Sequence, residues 1–301
     1  MNVATAVGET LVRCGIGGVF GVAGSGNFEV TNAMIAAGAR YVAARHEGGA
    51  ATMADAYARM TGGVAGLTLH QGCGLTNAMT GITEAAKSRT PLVVVAAEAT
   101  RPNSNFHVDQ PALAAAVGAV SMRLTSGDEA VEQAAAAVAT AVGERRVVLL
   151  NLPLDVQTQE AGRGTSSAPR TGPPAVPVDE ADLERLATAI RVAARPVFVA
   201  GRGARGSGCR EALERLADRC GALLATSAVA KGLFTGSPWA LDVSGGFATP
   251  LAAELISGAD LVVGWGCTLN MWTMRHGRLI ADDAVVVQVD ADPDALGSQR
   301  A

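Results

Sequence analysis

The chain has 301 residues, 49% of them hydrophobic and 17% charged, with a formal net charge of −4. That length exceeds one ordinary domain and predicts two, and the apolar share excludes a disordered chain. The acidic balance, with no Lys/Arg run, gives nucleic-acid binding no electrostatic footing, and the sequence contains no run of about 18 apolar residues that would predict a membrane span.

The opening stretch, MNVATAVGETLVRCGIGGVF, has no charged region followed by an apolar one. No secretory leader is expected, and the predicted location is cytoplasmic. The first domain is predicted from apolar runs at 18–23, 41–44, 65–70, 91–98, 119–124 and 147–152, which read as strands. Helical patterns lie at 2–14, 27–37, 48–60, 75–88, 110–117 and 128–143. Unbroken Val/Leu runs separated by helices predict a parallel sheet covered on both faces.

Residues 161–178, AGRGTSSAPRTGPPAVPV, carry no apolar period and predict an interdomain linker. The rhythm then restarts, with strands at 196–201, 222–227, 260–266 and 284–290 and helices at 208–220 and near 250–257. The expected fold class is α/β: two open parallel-sheet, three-layer domains. The first covers residues 1–160. The second, Rossmann-like, covers 179–301.

Open parallel sheets bind ligands beyond the carboxyl ends of their strands. Four such ends carry glycine or polar residues here: Gly24-Ser25-Gly26, then Glu47 with Gly48-Gly49, then His70-Gln71-Gly72-Cys73-Gly74, then Glu98 to Asn105. Five cysteines, Cys14, Cys73, Cys209, Cys220 and Cys267, show no CxxC or Cys/His spacing. Free thiols and no metal site of this chain's own are predicted. The turn GRGARG, Gly201 to Gly206, fits GxGxxG after a strand. The acid that a dinucleotide fingerprint needs after the next strand is missing from ALLATSAVAKG, so a structural turn is the first reading.

Two blocks taken together, RHEGGAATMADAYARMTG (45–62) and GCGLTNAMTGITEAAKSRTPLVVVAAE (72–98), resemble the pyrimidine-binding domain of a superfamily of thiamine diphosphate-dependent enzymes, that of acetolactate synthase and benzoylformate decarboxylase. TSAVAKGLF (226–234), GADLVVGWGCTLNMWTMRHGRL (258–279) and VVQVDADPDALG (286–297) look like that family's central domain. The resemblance covers essentially the whole chain.

The resemblance implies thiamine diphosphate as cofactor, with Glu47 hydrogen-bonding N1′ of its aminopyrimidine. It implies that Gly48 and Gly49 let the ring and a facing subunit come close. Gly72-Cys73-Gly74 and Asn77 match the family's Gly-Pro-Gly turn and the asparagine after it, with cysteine in place of proline. His70 stands where benzoylformate decarboxylase has a proton-transferring histidine. Ser25, after Gly24, stands where it has an active-site serine, although Ala23 replaces the proline there. In NSNFHVDQPAL, Phe106 or His107 occupies the place of an active-site glutamine, while His276 reads as structural. The family's central domain sometimes holds FAD, which is not favoured here.

Relatives of this kind run to about double the length. Their third domain holds Mg²⁺ and the diphosphate through a Gly-Asp-Gly start and a later asparagine, and neither occurs here; Gly127-Asp128-Glu129 is the nearest match. The implied protein is a subunit or fragment of a 2-oxo acid decarboxylase or carboligase. It is oligomeric, with itself or with a subunit that supplies the diphosphate-binding domain and its Mg²⁺. The alternatives are a non-catalytic regulatory homologue and a nucleotide-binding protein using Gly201–Gly206.

Overall fold

Asn2 starts the first helix by accepting the Thr5 N–H at 3.0 Å, a side-chain N-cap. From there helix and strand alternate. The N-terminal elements are α1 (Val3–Arg13), β1 (Gly18–Gly21), α2 (Phe28–Ala36), β2 (Arg40–Ala43), α3 (Glu47–Thr61), β3 (Ala65–Leu69), α4 (Cys73–Lys87) and β4 (Leu92–Glu98). They continue with α5 (Gln110–Ala116), β5 (Val120–Arg123), α6 (Ala130–Gly143), β6 (Val147–Pro153) and α7 (Leu154–Gln157). The structure is a computed structural model that describes residues 1–162, 164, 177–206 and 208–299. It divides into two units, Met1–Pro174 and Ala175–Ala301. Most of the linker expected at 161–178 falls outside the described residues.

The N-terminal sheet runs β2-β1-β3-β4-β6-β5, every pair parallel. Alternation along β4 divides its core. Val93 and Val95 face α1, α2 and α6 through Val7, Met34 and Val138. Leu92 and Val94 face α3 and α4 through Ala54, Ala78 and Ile82. These are the three layers expected. The strand order reverses at β1, whose neighbours are β2 and β3. The carboxyl ends of β1 and β3 therefore open the crevice where such sheets take ligands.

The Ala175–Ala301 unit contains α8 (Glu180–Val192), β7 (Pro196–Ala200), α9 (Cys209–Cys220), β8 (Leu223–Thr226), β9 (Ala240–Val243), α10 (Pro250–Ser257), β10 (Leu261–Trp265) and β11 (Val285–Val289). Its sheet is parallel in the order β11-β10-β7-β8-β9. One face packs on α8 and α9 through Ile190, Leu213 and Phe198. The other packs on Ile256 of α10 and on Met274 and Leu279, which lie between β10 and β11.

Three elements lie outside the sequence expectation. Helix α8 carries Leu183, Leu186 and Ile190 at i, i+3 and i+7, and Asp179 caps it by accepting from the Ala181 N–H at 2.7 Å. Strand β9 has four residues, a register shift against β8, and Asp242 at φ +61, so it shows no clean alternation. Helix α7 is a single turn after β6.

Candidate active site

The second strand end carries Glu47 as the first residue of α3. His46 precedes it as the N-cap, its Nδ1 accepting the Gly48 N–H at 3.0 Å. Small residues bring α4 close beside α3: a Cβ on Gly81 would stand 2.6 Å from Ala51 Cβ, and one on Gly48 would stand 3.2 Å from the Asn77 carbonyl oxygen. That packing sets two polar side chains together. Asn77 Nδ2 donates to Glu47 Oε2 at 3.0 Å. Glu47 Oε1 lies 3.8 Å from where a Cβ on Gly74 would be, so glycine leaves the space beside that oxygen open. Gly49 has nothing within 4 Å of its missing Cβ. The two glycines thus divide: α4 accounts for Gly48, and an open surface lies at Gly49.

The third strand end delivers His70, Gly72 and Cys73. Gly72 has φ +63, and a Cβ there would meet the Phe106 carbonyl oxygen at 2.6 Å, so only glycine fits. Cys73 is exposed at the first position of α4, where proline is at home because that N–H has no helical partner. The Cys-for-Pro exchange therefore leaves the turn's course intact. His70 is held on three sides. A Cβ on Gly24 would come within 2.8 Å of its Cγ, the Phe106 ring lies edge-on at 5.3 Å, and the Gly26 N–H donates to its Nδ1 at 3.3 Å. A neutral His70 consequently carries its proton on Nε2.

Ser25 is exposed in the Gly24–Gly26 turn that wraps His70. His107 is exposed in the loop after β4, with Nδ1 3.0 Å from the Ala99 carbonyl oxygen. A carbonyl only accepts, so a neutral His107 carries its proton on Nδ1 and leaves Nε2 as a lone-pair acceptor. The two histidines thus hold opposite tautomers. Phe106 and His46 add to the residues read from sequence. Phe106 was legible only as an occupant of a glutamine's place, and His46 only as a member of the block 45–62.

Other residues do not join the group. Glu98, 3% exposed, forms a two-pronged ion pair with Arg123 of β5, with Arg123 Nε to Oε2 at 2.8 Å. That bond holds the Arg123 guanidinium pKa above its usual value. His276 is exposed in the other unit, at φ +57 in a turn. The Gly201–Gly206 turn is explained by packing. The Gly201 N–H donates to the Trp265 carbonyl at 2.8 Å, and the Gly203 N–H to that of Gly266 at 3.1 Å. A Cβ on Gly203 would stand 2.7 Å from Gly266 Cα. The turn runs into a 3-10 segment, Arg202–Arg205, and α9 begins only at Cys209. Those two N–H groups are already used and do not open an α-helix, unlike a phosphate-binding turn. Among the described residues no cluster of three or more His, Cys, Asp or Glu could hold a metal ion. No helix among them is long and apolar enough to cross a membrane.

Two family models match the chain. Residues 1–117 match the thiamine pyrophosphate enzyme N-terminal TPP binding domain, and residues 183–301 match the central domain of the same enzymes. Among curated relatives, a Pseudomonas aeruginosa protein named "Probable 2-ketoarginine decarboxylase" is 33% identical, over 95% of this chain and 53% of its own length. The sulfoacetaldehyde acetyltransferase of Rhodobacter capsulatus is 30% identical over 100% of this chain and 52% of its own. A "Probable acetolactate synthase large subunit" of Methanocaldococcus jannaschii is 27% identical over 99% and 52%. The chain spans about half the length of the curated relatives it matches. With both models matched in order, and the two parallel α/β units in place, the chain belongs to the thiamine pyrophosphate enzymes and carries their N-terminal and central domains.

Proposed function

We propose that this chain forms the aminopyrimidine half of the active site of a thiamine diphosphate-dependent decarboxylase or carboligase acting on a 2-oxo acid. The carrying observation is the Glu47 carboxylate, fixed by Asn77 at 3.0 Å on one oxygen and left open above Gly74 on the other. That is the donor set an aminopyrimidine ring nitrogen requires: one oriented carboxyl oxygen beside a glycine surface that a flat ring can approach. Gly24 packs on His70, and Gly72, Cys73 and Gly74 form the turn at the third strand end, so we assign these four and His107 to the cofactor's surroundings.

When bound, thiamine diphosphate supplies a nucleophilic carbon and an electron sink for cleavage beside a carbonyl. Glu47 holds the proton shared with ring atom N1′, and Asn77 keeps the carboxyl from turning away. His70, with Nδ1 occupied by the Gly26 N–H, offers its Nε2 proton as a general acid. Ser25 contributes a hydroxyl from the facing turn. His107, with the opposite tautomer, accepts at Nε2. Diphosphate and Mg²⁺ would be held by residues outside the two matched domains, whether on a partner subunit or on a longer form of this chain.

The test is Glu47→Gln in the assembled enzyme. Turnover is expected to vanish, with unfolding temperature unchanged and thiamine diphosphate affinity weakened. Near-normal turnover sinks the assignment. One rival reading is a regulatory homologue without chemistry. Under that reading Glu47→Gln changes neither cofactor affinity nor the activity of the partner.

A further inference from the structure

Gly26 is engaged on three sides at once. Its N–H donates to His70 Nδ1 at 3.3 Å, and its carbonyl accepts from Gln157 Nε2 at 3.0 Å. A Cβ on this residue would overlap the Gln71 amide oxygen and come within 2.8 Å of Ala97 Cβ, so the glutamine fills the space that glycine leaves. Gly26 is buried, and Gln157 and Gln71 are 6% and 5% exposed. Gln71 Oε1 has no hydrogen-bond partner among the described residues. An orphan acceptor in so closed a place is uncommon. Here it rests against the Gly26 backbone.

Gln157 reaches this turn from 131 residues away. It closes α7, the single helical turn after β6. A side-chain amide nitrogen has two protons to give. The other goes to the Leu152 carbonyl at 3.2 Å, on β6, a strand buried along its whole length. Val156, the residue before, is buried in the same core as Leu152 and Val95. Gln157 therefore ties Gly26 to the centre of the sheet. The other end of the turn has a separate anchor. Asn27 Oδ1 accepts the Gly24 N–H at 2.8 Å, and Asn27 Nδ2 donates to the Val22 carbonyl at 3.1 Å. Those bonds set Val22 and Gly24 and leave the Gly26 backbone to Gln157 and Gln71.

We infer that Gln157, backed by Gln71, is a positioning residue for His70. It fixes Gly26 so that the Gly26 N–H caps Nδ1, which keeps the imidazole from turning and keeps the neutral ring's proton on Nε2. The hydrogen bond at one ring nitrogen decides the protonation of the other. A reacting group misplaced by about 1 Å can cost about a hundredfold in rate, so a buried amide reaches the chemistry through the turn without touching substrate. The consequence for rate rests on the reading of His70 as a proton donor; the lock on the ring does not.

The test is nitrogen-15 NMR of the full chain with labelled histidine, at about pH 8.5, where an ordinary histidine is neutral. Long-range proton–nitrogen correlations identify the protonated nitrogen of each ring. The parent is expected to show His70 protonated on Nε2. A proton on Nδ1 there overturns the inference before any variant is made. Gln157→Met keeps the length of the side chain but cannot donate, and Gln157→Glu keeps its shape and, ionised, only accepts. In both, His70 is expected to gain a share of the Nδ1–H form and the Gly26 amide to exchange at least about tenfold faster, while the His107 pattern stays. A merely structural amide would lower the unfolding temperature and leave the His70 pattern as in the parent, and that result overturns the inference. So does a failure of both variants to fold, which would assign Gln157 to folding rather than to His70. Turnover of the assembled enzyme separates the lock from the functional reading: kcat is expected to fall at least about tenfold, with KM changed less. An altered His70 pattern with parental kcat refutes the proton-donor role and spares the lock. Lost kcat with an unaltered pattern refutes the lock alone.

Discussion

Two glycines on α4 should respond to the same substitution in opposite ways. Alanine favours a helix interior over glycine by about 1 kcal/mol, so each variant starts with a gain. At Gly81 the new methyl would lie 2.6 Å from Ala51 Cβ and 3.1 Å from both Ala51 C and Thr52 N. The last two are backbone atoms of α3, which move only with the helix. Overpacking of this kind costs about 1–3 kcal/mol and occasionally more. The middle of that range less the gain leaves a net destabilisation of about 1 kcal/mol, or a fall of roughly 2–4 °C in unfolding temperature for a unit of this size. At Gly74 the methyl meets His70 Cβ at 3.1 Å and Glu47 Oε1 at 3.8 Å. Both contacts are longer than the 2.6 Å clash at Gly81 and need a shift of only a few tenths of an ångström, so stability should stay within about 0.5 kcal/mol of the parent. The methyl nevertheless crowds the oxygen that a ring donor must reach within about 3 Å. Calorimetric unfolding, together with titration of thiamine diphosphate into the assembled enzyme, reads both effects. Gly74→Ala is expected to weaken the cofactor at least about tenfold while melting normally; Gly81→Ala melts early. Parental cofactor affinity in Gly74→Ala, or a Gly81→Ala as stable as the parent, would refute the division of labour.

Two further outcomes are expected. Desolvation pushes the Asp260 carboxyl up, but the N–H groups of Arg195 and Ala194, both at 2.8 Å, outweigh it and hold the pKa below the usual value. A lowered folded pKa gives stability that is present above the unfolded value of about 3.9 and lost as pH falls through the folded one. In urea at pH 7, Asp260→Ala should therefore unfold the central unit about 1 kcal/mol more easily, with solvent exposure keeping the figure small. The two midpoints should converge in acid below the folded pKa, and a gap that persists there contradicts the argument. Alkylation followed by mass spectrometry should mark the exposed Cys73 first. Cys14 and Cys267, 1% and 5% exposed, should react last, since burial also pushes both thiols up. Thiamine diphosphate should slow labelling at Cys73 in the assembled enzyme, and equal rates with and without it argue against a cofactor at that turn.

The legible parts of the fold were those whose burial leaves a mark on every residue. Strands β3, β4 and β6 are buried along their whole length, and their unbroken apolar runs located them to within a residue. Helix α8 buries Ile190 alone, so its stripe stood out less, and it lies beside a Pro-rich stretch that reads as linker. The strand ends of the site were marked by Gly24, Gly72, Gly74 and Glu47. How those ends meet was not, because the contacts bridge long sequence separations. Asn77 reaches Glu47 across 30 residues, and the Gly26 N–H reaches His70 across 44. Spacing carries no signal for either. GRGARG is the converse case, where a motif's glycines are consumed by Gly266, a partner some 60 residues on that no local pattern reveals.

The small residues behind Glu47 link that fold to the site. Gly48 and Ala51 on α3 face Asn77 and Gly81 on α4, and a Cβ at either glycine would force the helices apart. Interaxial separation follows the side chains at the contact, so these residues set how near the two helix starts can come. The Asn77–Glu47 bond exists only at that separation, since neither side chain can lengthen to recover a lost ångström. Pushing α3 away would leave the glutamate in the sequence and the carboxyl unaimed. The alanine-rich run after Glu47 is therefore a positioning device for the carboxyl. Its tolerance to substitution should be judged by the distance between α3 and α4 rather than by helix propensity, which larger residues such as leucine would satisfy almost as well.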